Sequence, residues 1–253
     1  MTPFFALALA FLAFLPLFPT DATINVQLVM RWVHFVAGIA WIGLLYFFNL
    51  VNAPFMRGLD PAVRAKIYEP LVSRAMWWFR WSSVVTFLAG FGYWNMIVVA
   101  DARNAGANGG FAIGSFLLIW TVAAVVEVGI VMSPAEALKS GPVLGAIVAA
   151  LVIVAAWLYV SLNSHGWESN RLLSIGIGGG IGWFMMFNVW GIVWRIQKKM
   201  IRWSSEAANG TPMPPEAAKL ARLSFIVSRI NFVLSFPLLF FMAAASHYPF
   251  LAG

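Results

Sequence analysis

Residues 26–50 read VQLVMRWVHFVAGIAWIGLLYFFNL, and this run decides the fold class. At about 1.5 Å per residue, an α-helix of this length crosses the roughly 30 Å hydrocarbon core of a bilayer. The run is apolar almost throughout, so it predicts a transmembrane helix. One imidazole, that of His34, interrupts it. This histidine is a ligand of a metal or haem, a proton carrier, or a polar side chain that bonds to a neighbouring helix.

The same pattern recurs along the chain. Of the 253 residues, 62% are hydrophobic and 10% are charged, whereas soluble domains carry about a quarter charged residues. The prediction is an all-α, polytopic integral membrane helical bundle in the lipid bilayer, with seven transmembrane helices, or six if the first is a cleaved signal. The apolar segments are residues 3–19, 26–50, 78–100, 111–132, 142–162, 172–194 and 223–246.

The N-terminal segment has two interpretations. Residues 1–25 are a hydrophobic helix or a signal-like segment, and residues 26–253 form the membrane helical domain. A signal peptide begins with a basic stretch and ends at a small-residue cleavage site. Neither feature is evident before Asp21, so we expect the first segment to be retained.

Basic residues concentrate in alternate loops. The connections 51–77, 133–141 and 195–222 hold most of them, and only Arg31, Arg103 and Arg171 fall on the other side. Because cytoplasmic loops carry an excess of Lys and Arg, this bias predicts that the three basic loops are cytoplasmic and that the C-terminus lies outside. The net charge of +7 then reflects topology, and we expect no nucleic-acid partner.

This topology places all three histidines on the external side. His34 lies about 10–12 Å from the external end of its predicted helix, His165 lies in an external loop, and His247 follows the last span. Imidazole is an axial haem ligand, and bis-imidazole ligation suits electron transfer. One hypothesis is therefore a haem b whose iron is bound by His34 and His247, with His165 as the second choice. The chain has no cysteine, which excludes thiolate metal sites and covalent c-type haem attachment within it.

Glycines line the sixth span, where residues 174–184 read SIGIGGGIGWF. Small residues let helix backbones approach closely, which favours helix packing. The alternative is clearance for a flat macrocycle beside Gly180. Gly38, one turn from His34, fits the second role as well.

A second polar group lies toward the cytoplasmic side. Glu127 interrupts the apolar run VAAVVEVGIVM, residues 122–132, and burying an ionised carboxylate in a bilayer is costly. Arg229 is the expected partner, with Asn49 and Asn188 at similar depth. This intramembrane polar cluster is either an ion pair that holds helices together or a proton-handling or ligand-binding site.

Four blocks of the sequence resemble one family. They are RWVHFVAGIAWIGLLYFFNLVN (31–52), YEPLVSRAMWWFRWSS (68–83), MMFNVWGIVWRIQKK (185–199) and SRINFVLSFPLLFFMAAASHYP (228–249). They are similar to the membrane domain of the PuuD-type, cytochrome c-linked urate oxidase (urate hydroxylase). The first block is more distantly similar to copper-resistance D-like and HemJ-like membrane proteins. The resemblance implies a multi-pass protein of the bacterial inner membrane, and the charge bias of the loops then predicts a periplasmic C-terminus.

That family joins the membrane domain to a C-terminal c-type cytochrome. This chain has no CxxCH motif, so we expect a stand-alone form of the membrane domain.

Three functions remain open. The first is a redox protein, part of a urate oxidase-like oxidoreductase, that exchanges electrons with a periplasmic cytochrome c or a quinone. The second is a non-catalytic accessory subunit of a larger membrane respiratory or oxidase complex. The third is a transporter or metal-handling protein, which has least support because the thioether cluster expected for Cu(I) is missing. No catalytic residue can be assigned, since the sequence holds no Ser-His-Asp arrangement, phosphate loop or paired carboxylates.

Overall fold

The structure is a computed structural model that describes residues 21–133, 135 and 140–251. Within these residues every regular element is helical. Six helical rods are long and apolar enough to cross a membrane, which confirms six of the seven predicted segments and the all-α bundle. The first predicted segment, residues 3–19, lies outside the described residues.

In the described part of the chain, eight α-helices and two π-helical turns form these rods. In order they are α1 (Ala22–Tyr46), a first π turn (Phe47–Asn52), α2 (Ala53–Gly58), α3 (Pro61–Asn104), α4 (Gly110–Met132), α5 (Gly141–Leu162), α6 (Asn170–Asn188), a second π turn (Val189–Val193), α7 (Trp194–Ala208) and α8 (Ala217–Ala244). Each π turn joins its two flanking helices without a break, so α1 to α2 and α6 to α7 are continuous rods.

Local sequence explains where the rods begin. The Asp21 carboxylate accepts a 2.7 Å hydrogen bond from Thr23 N at the start of α1. Ser169 Oγ accepts a 3.1 Å bond from Leu172 N at the start of α6. Both bonds satisfy amides that have no partner inside the helix. Pro61 opens α3, a position where the missing proline N–H costs nothing.

Helix α6 is the centre of the bundle. It packs against α3, α4, α5 and α8, and most of its residues are buried. The largest buried side chains around it are Trp94, Phe116, Trp120 and Tyr159. Helix α1 packs mainly along α3 and exposes apolar side chains such as Ile39 on its other face. An apolar exposed face is what a helix in contact with lipid requires.

A polar extension projects from the end where the basic loops lie. Helix α3 has 44 residues, about 66 Å at 1.5 Å per residue, whereas the bilayer core needs only about 30 Å. The Tyr68 hydroxyl of α3 donates to Gln197 Oε1 of α7 at 2.6 Å. Gln197 Nε2 donates to Ser224 Oγ of α8 at 3.0 Å. This chain of hydrogen bonds joins the three helices beside the basic connections, and Tyr68 and Gln197 lie outside the predicted spans.

Two helix ends in the structure differ from the ends predicted from the sequence. Apolar segments predict a third span from residue 78 and a sixth span that ends at 194, but the helices begin at Pro61 and continue to Ala208. The additional turns are amphipathic: α7 buries Ile196, Met200 and Trp203. Hydropathy detects lipid-spanning runs, whereas these turns are helical because their apolar side packs on neighbouring helices.

Candidate functional site

His34 is held at the contact between α1 and α3. Its Nδ1 lies 2.8 Å from the backbone oxygen of Thr86. Because a carbonyl oxygen only accepts, Nδ1 donates, and the neutral ring carries a bare lone pair at Nε2. Within the described residues this is the ring's one hydrogen bond. A carbonyl on the far nitrogen is the usual arrangement behind a metal-bound histidine, since it sets the tautomer and the ring orientation.

Gly90 provides the surface on which the imidazole lies. A Cβ atom at this position would come 2.5 Å from His34 Nδ1 and 2.7 Å from its Cε1. Thr86 and Gly90 are one helical turn apart, so together they seat the ring. Gly38 has another neighbour, because a Cβ there would lie 3.7 Å from Thr86 Cγ2. This is an ordinary van der Waals distance, so an alanine would also fit at this position.

The other two histidines lie at the end of the bundle opposite the basic connections 51–77 and 195–222. His165 Nδ1 lies 2.8 Å from Glu168 Oε1, and Glu168 Oε2 accepts a 2.9 Å bond from the backbone N of His165. His247 is exposed and follows the end of α8. Asn170 Nδ2 donates to Ala245 O at 3.1 Å, which joins the start of α6 to the end of α8. His165 and His247 therefore lie at the same end.

His34 lies deeper than these two residues. Helix α1 begins at Ala22, four residues before the predicted start. His34 is consequently about 18 Å along the helix from its first residue. The described residues contain no group of three or more His, Cys, Asp and Glu that could hold a metal ion. The axial ligation of a haem requires only one or two imidazoles, so the assignments of His34, His247 and His165 stay predictions.

Side chains of the same protein cover the glycine face of α6. A Cβ on Gly180 would overlap the Trp120 indole, and one on Gly176 would overlap the Tyr159 phenol. A Cβ on Gly178 would lie 3.1 Å from Phe241 Cβ on α8. Helices α4, α5 and α8 thus pack closely on this face, in agreement with the helix-packing interpretation of the sequence. Trp120 fills the space beside Gly180.

Glu127 belongs to a buried network of amides. It is 0% exposed, and its Oε1 accepts a 3.0 Å hydrogen bond from Asn188 Nδ2. The same amide donates to Asn231 Oδ1 at 2.9 Å. Glu127 Oε2 and Asn188 Oδ1 have no hydrogen-bond partner among the described residues. The network joins α4, α6 and α8 through neutral donors.

Arg229 has partners other than the expected carboxylate. Its Nη2 donates to the backbone oxygen of Asn49 at 3.4 Å, and its guanidinium carbon lies 5.1 Å from the Phe225 ring centre. Asn49 Nδ2 donates to Ser228 Oγ at 3.0 Å. Within the described residues no ion pair joins Arg229 to Glu127. The residues predicted as one cluster therefore belong to two networks.

Both networks lie at π-helical turns. Asn49 is part of the first π turn, and Asn188 directly precedes the second. Such turns occur often at functional sites because the added residue redirects the side chains around it. Sequence reasoning missed both turns, and it missed Thr86 and Gly90 as the seat of His34. An apolar run carries no signal for a π turn, whereas the glycine in FLAGFGY (87–93) was a visible hint of close helix contact.

Replacing Asn188 with leucine is expected to lower the free energy of unfolding by about 2 kcal/mol, because it leaves two buried acceptors without their donor. The matched control is Asn95→Leu, whose Nδ2 bonds only to Phe91 O on the same helix. We expect this control to cost about 0.5 kcal/mol. Unfolding in detergent by titration with a denaturing surfactant measures both variants. Equal losses would show that the inter-helix network adds no stability.

Comparison with protein families identifies the chain. Residues 58–253 match the family model described as urate oxidase N-terminal. The protein belongs to this family and is a urate oxidase-like, multi-pass membrane protein. The match includes three of the four blocks that suggested the resemblance, while residues 31–52, with His34, precede it. No curated protein and no solved structure matches the chain.

Proposed function

We propose that this protein is an electron-transfer component of a urate oxidase-like membrane system, in which His34 is an axial ligand of a haem b. The observation that carries the proposal is the 2.8 Å contact between His34 Nδ1 and Thr86 O. It orients the ring, holds the proton on Nδ1 and leaves Nε2 as the coordinating atom. Membership of the urate oxidase N-terminal family supports an oxidoreductase setting for the protein as a whole.

The residues that contact the His34 ring fit the role of this side chain as an axial ligand. Gly90 leaves room for the ring to lie flat against α3, and the buried Thr86 backbone keeps it from rotating. When bound, a haem b supplies one-electron transfer. The chain's own contribution is to fix the imidazole between α1 and α3 and so to orient it.

A second ligand is proposed from the external histidines, His247 first and His165 second. The side chain of His247 is exposed and has no hydrogen-bond partner among the described residues, so coordination of an iron would break no hydrogen bond of this side chain. His165 is held at Nδ1 by Glu168, which leaves its Nε2 open in the same way as in His34. We place the protein in the bacterial inner membrane with its C-terminus in the periplasm, where a cytochrome c or a membrane quinone is the electron partner.

The test is the visible spectrum of the purified protein, oxidised and reduced, after expression in a haem-replete host. We expect a Soret band that is lost in His34→Ala. The variants His247→Ala and His165→Ala provide matched controls. Loss of the histidine that supplies the second ligand is expected to shift the Soret band, whereas loss of the other histidine leaves the band unchanged. A colourless, metal-free wild-type protein would contradict the proposal. It would favour the alternative, a non-catalytic accessory subunit, for which co-purification with a larger oxidase or respiratory complex is the direct test.

A further inference from the structure

The exposed side of α7 carries a basic surface. Its four cations are spaced so that they lie on one face of the helix, and they line a shallow pocket of about 360 Å³; they are Arg195, Lys198, Lys199 and Arg202. All four are exposed. Arg202 lies 3.7 Å from the carboxylate of Glu206. Within the described residues the other three have no carboxylate within ion-pair distance, so most of this positive charge is uncompensated.

An apolar groove lies beside this surface, where α3 faces the end of α6 and the second π turn. Its volume is also about 360 Å³, and it is open to the outside of the bundle. Its lining is apolar and largely aromatic: Trp81, Val84, Trp183, Met186, Phe187 and Trp190. An open groove of this composition in a bilayer-spanning region accepts a hydrocarbon chain.

Stacked side chains connect the groove to the basic surface. The guanidinium of Arg80 lies 5.7 Å from the Trp190 ring centre and 3.8 Å from that of Trp194. On α7, Lys198 Nζ lies 5.6 Å from the Trp194 ring centre. Tryptophan is typical of the membrane–water interface. The order along the bundle is therefore an apolar groove, an interfacial layer of Trp and Arg80, and a cationic face.

We propose that this composite surface binds one anionic phospholipid, with the headgroup phosphate on the basic face of α7 and an acyl chain in the aromatic groove. The charge is complementary to the phosphate, and basic clusters directly cytoplasmic of a transmembrane helix bind acidic lipids in general. The adjoining groove distinguishes a lipid from free phosphate, which has no apolar part to occupy it. This site is separate from His34 and its test is independent of haem binding.

The test uses the full-length purified protein and measures lipid binding by native mass spectrometry with four probes. These are dioleoyl phosphatidylglycerol, dioleoyl phosphatidylcholine, dihexanoyl phosphatidylglycerol and inorganic phosphate. We expect the long-chain anionic lipid to bind at least tenfold more tightly than each of the others. Equal binding of the two dioleoyl lipids would overturn the headgroup assignment. Equal binding of long-chain and short-chain phosphatidylglycerol, or full competition by phosphate, would overturn the groove assignment.

Variants locate the site on α7. The double variant Lys198→Gln/Lys199→Gln is expected to weaken phosphatidylglycerol binding about 30-fold. Each interfacial cation strengthens the binding of an acidic lipid about fivefold, and the variant removes two of them. The control Arg57→Gln/Arg103→Gln removes the same charge from exposed positions elsewhere, and we expect no change in binding. The variant Lys198→Arg/Lys199→Arg should retain binding, which shows that the fold is intact. Equal losses in the first two variants would refute a localised site.

Discussion

Gly180→Ala is expected to lower the free energy of unfolding by about 3 kcal/mol, the upper part of the usual range for overpacking a buried core. The added methyl group would overlap the indole ring of Trp120. That ring is 0% exposed and belongs to the same buried hydrophobic core as Phe116 and Tyr159, so moving it displaces other buried side chains or α4 itself. Thermal or surfactant-induced unfolding in detergent measures the loss.

The matched control for this prediction is Gly114→Ala on α4, where a Cβ would meet no atom within 4 Å. We expect Gly114→Ala to be neutral or slightly stabilising, because alanine has the higher helix propensity. A second check combines Gly180→Ala with Trp120→Leu, which vacates the space. The combined loss should be smaller than the sum of the single losses, since the two sites share one contact. Additive losses would mean that the α4–α6 contact is not the cause.

Gly90→Ala is expected to displace His34 and to abolish or shift any Soret absorption that depends on its imidazole. The new Cβ would lie 2.5 Å from His34 Nδ1, so the ring must leave Thr86 O or the helices must separate. Either response costs about 1–3 kcal/mol of stability. The measurements are the visible spectrum and the unfolding midpoint of the same purified sample.

Gly92→Ala is the control for the His34 seat. Its Cβ would meet the methyl end of Met30 at 3.1 Å, a flexible group that can move aside at little cost. We therefore expect wild-type spectra and a loss below about 1 kcal/mol. In a His34→Ala background, Gly90→Ala should also be nearly neutral, because the imidazole is gone. A large loss in that background would show that Gly90 contributes to packing other than that of His34.

Much of the fold follows from composition and hydropathy. Apolar runs long enough for a bilayer predict the spans that α1, α4 and α5 form, with edges within a few residues. The ends of α3 and α7 are not predicted, because their amphipathic turns are stabilised by packing outside the spans. Hydropathy alone cannot distinguish such turns from a loop.

The candidate site also has features that the sequence predicts and features that it does not. His34 and Glu127 stand out in the sequence because a polar group in an apolar run needs a partner. The sequence does not show which group is the partner of Glu127. Arg229 carries a full positive charge, yet the neutral amide of Asn188 is the group that bonds to Glu127. A hydrogen bond depends on which helix faces meet, and π turns change those faces by one residue.

The amino-acid sequence by itself determined that this protein is a polytopic helical membrane protein. Only the tertiary structure decided that His34 bonds to Thr86, 52 residues away, and that Trp120 and Tyr159 close the glycine face of α6. The physical reason is that the first property depends on one segment at a time, whereas the contacts depend on two segments together. Transfer of apolar side chains into lipid is a property of each segment alone, whereas a hydrogen bond or a close contact requires two segments at a defined distance and rotation.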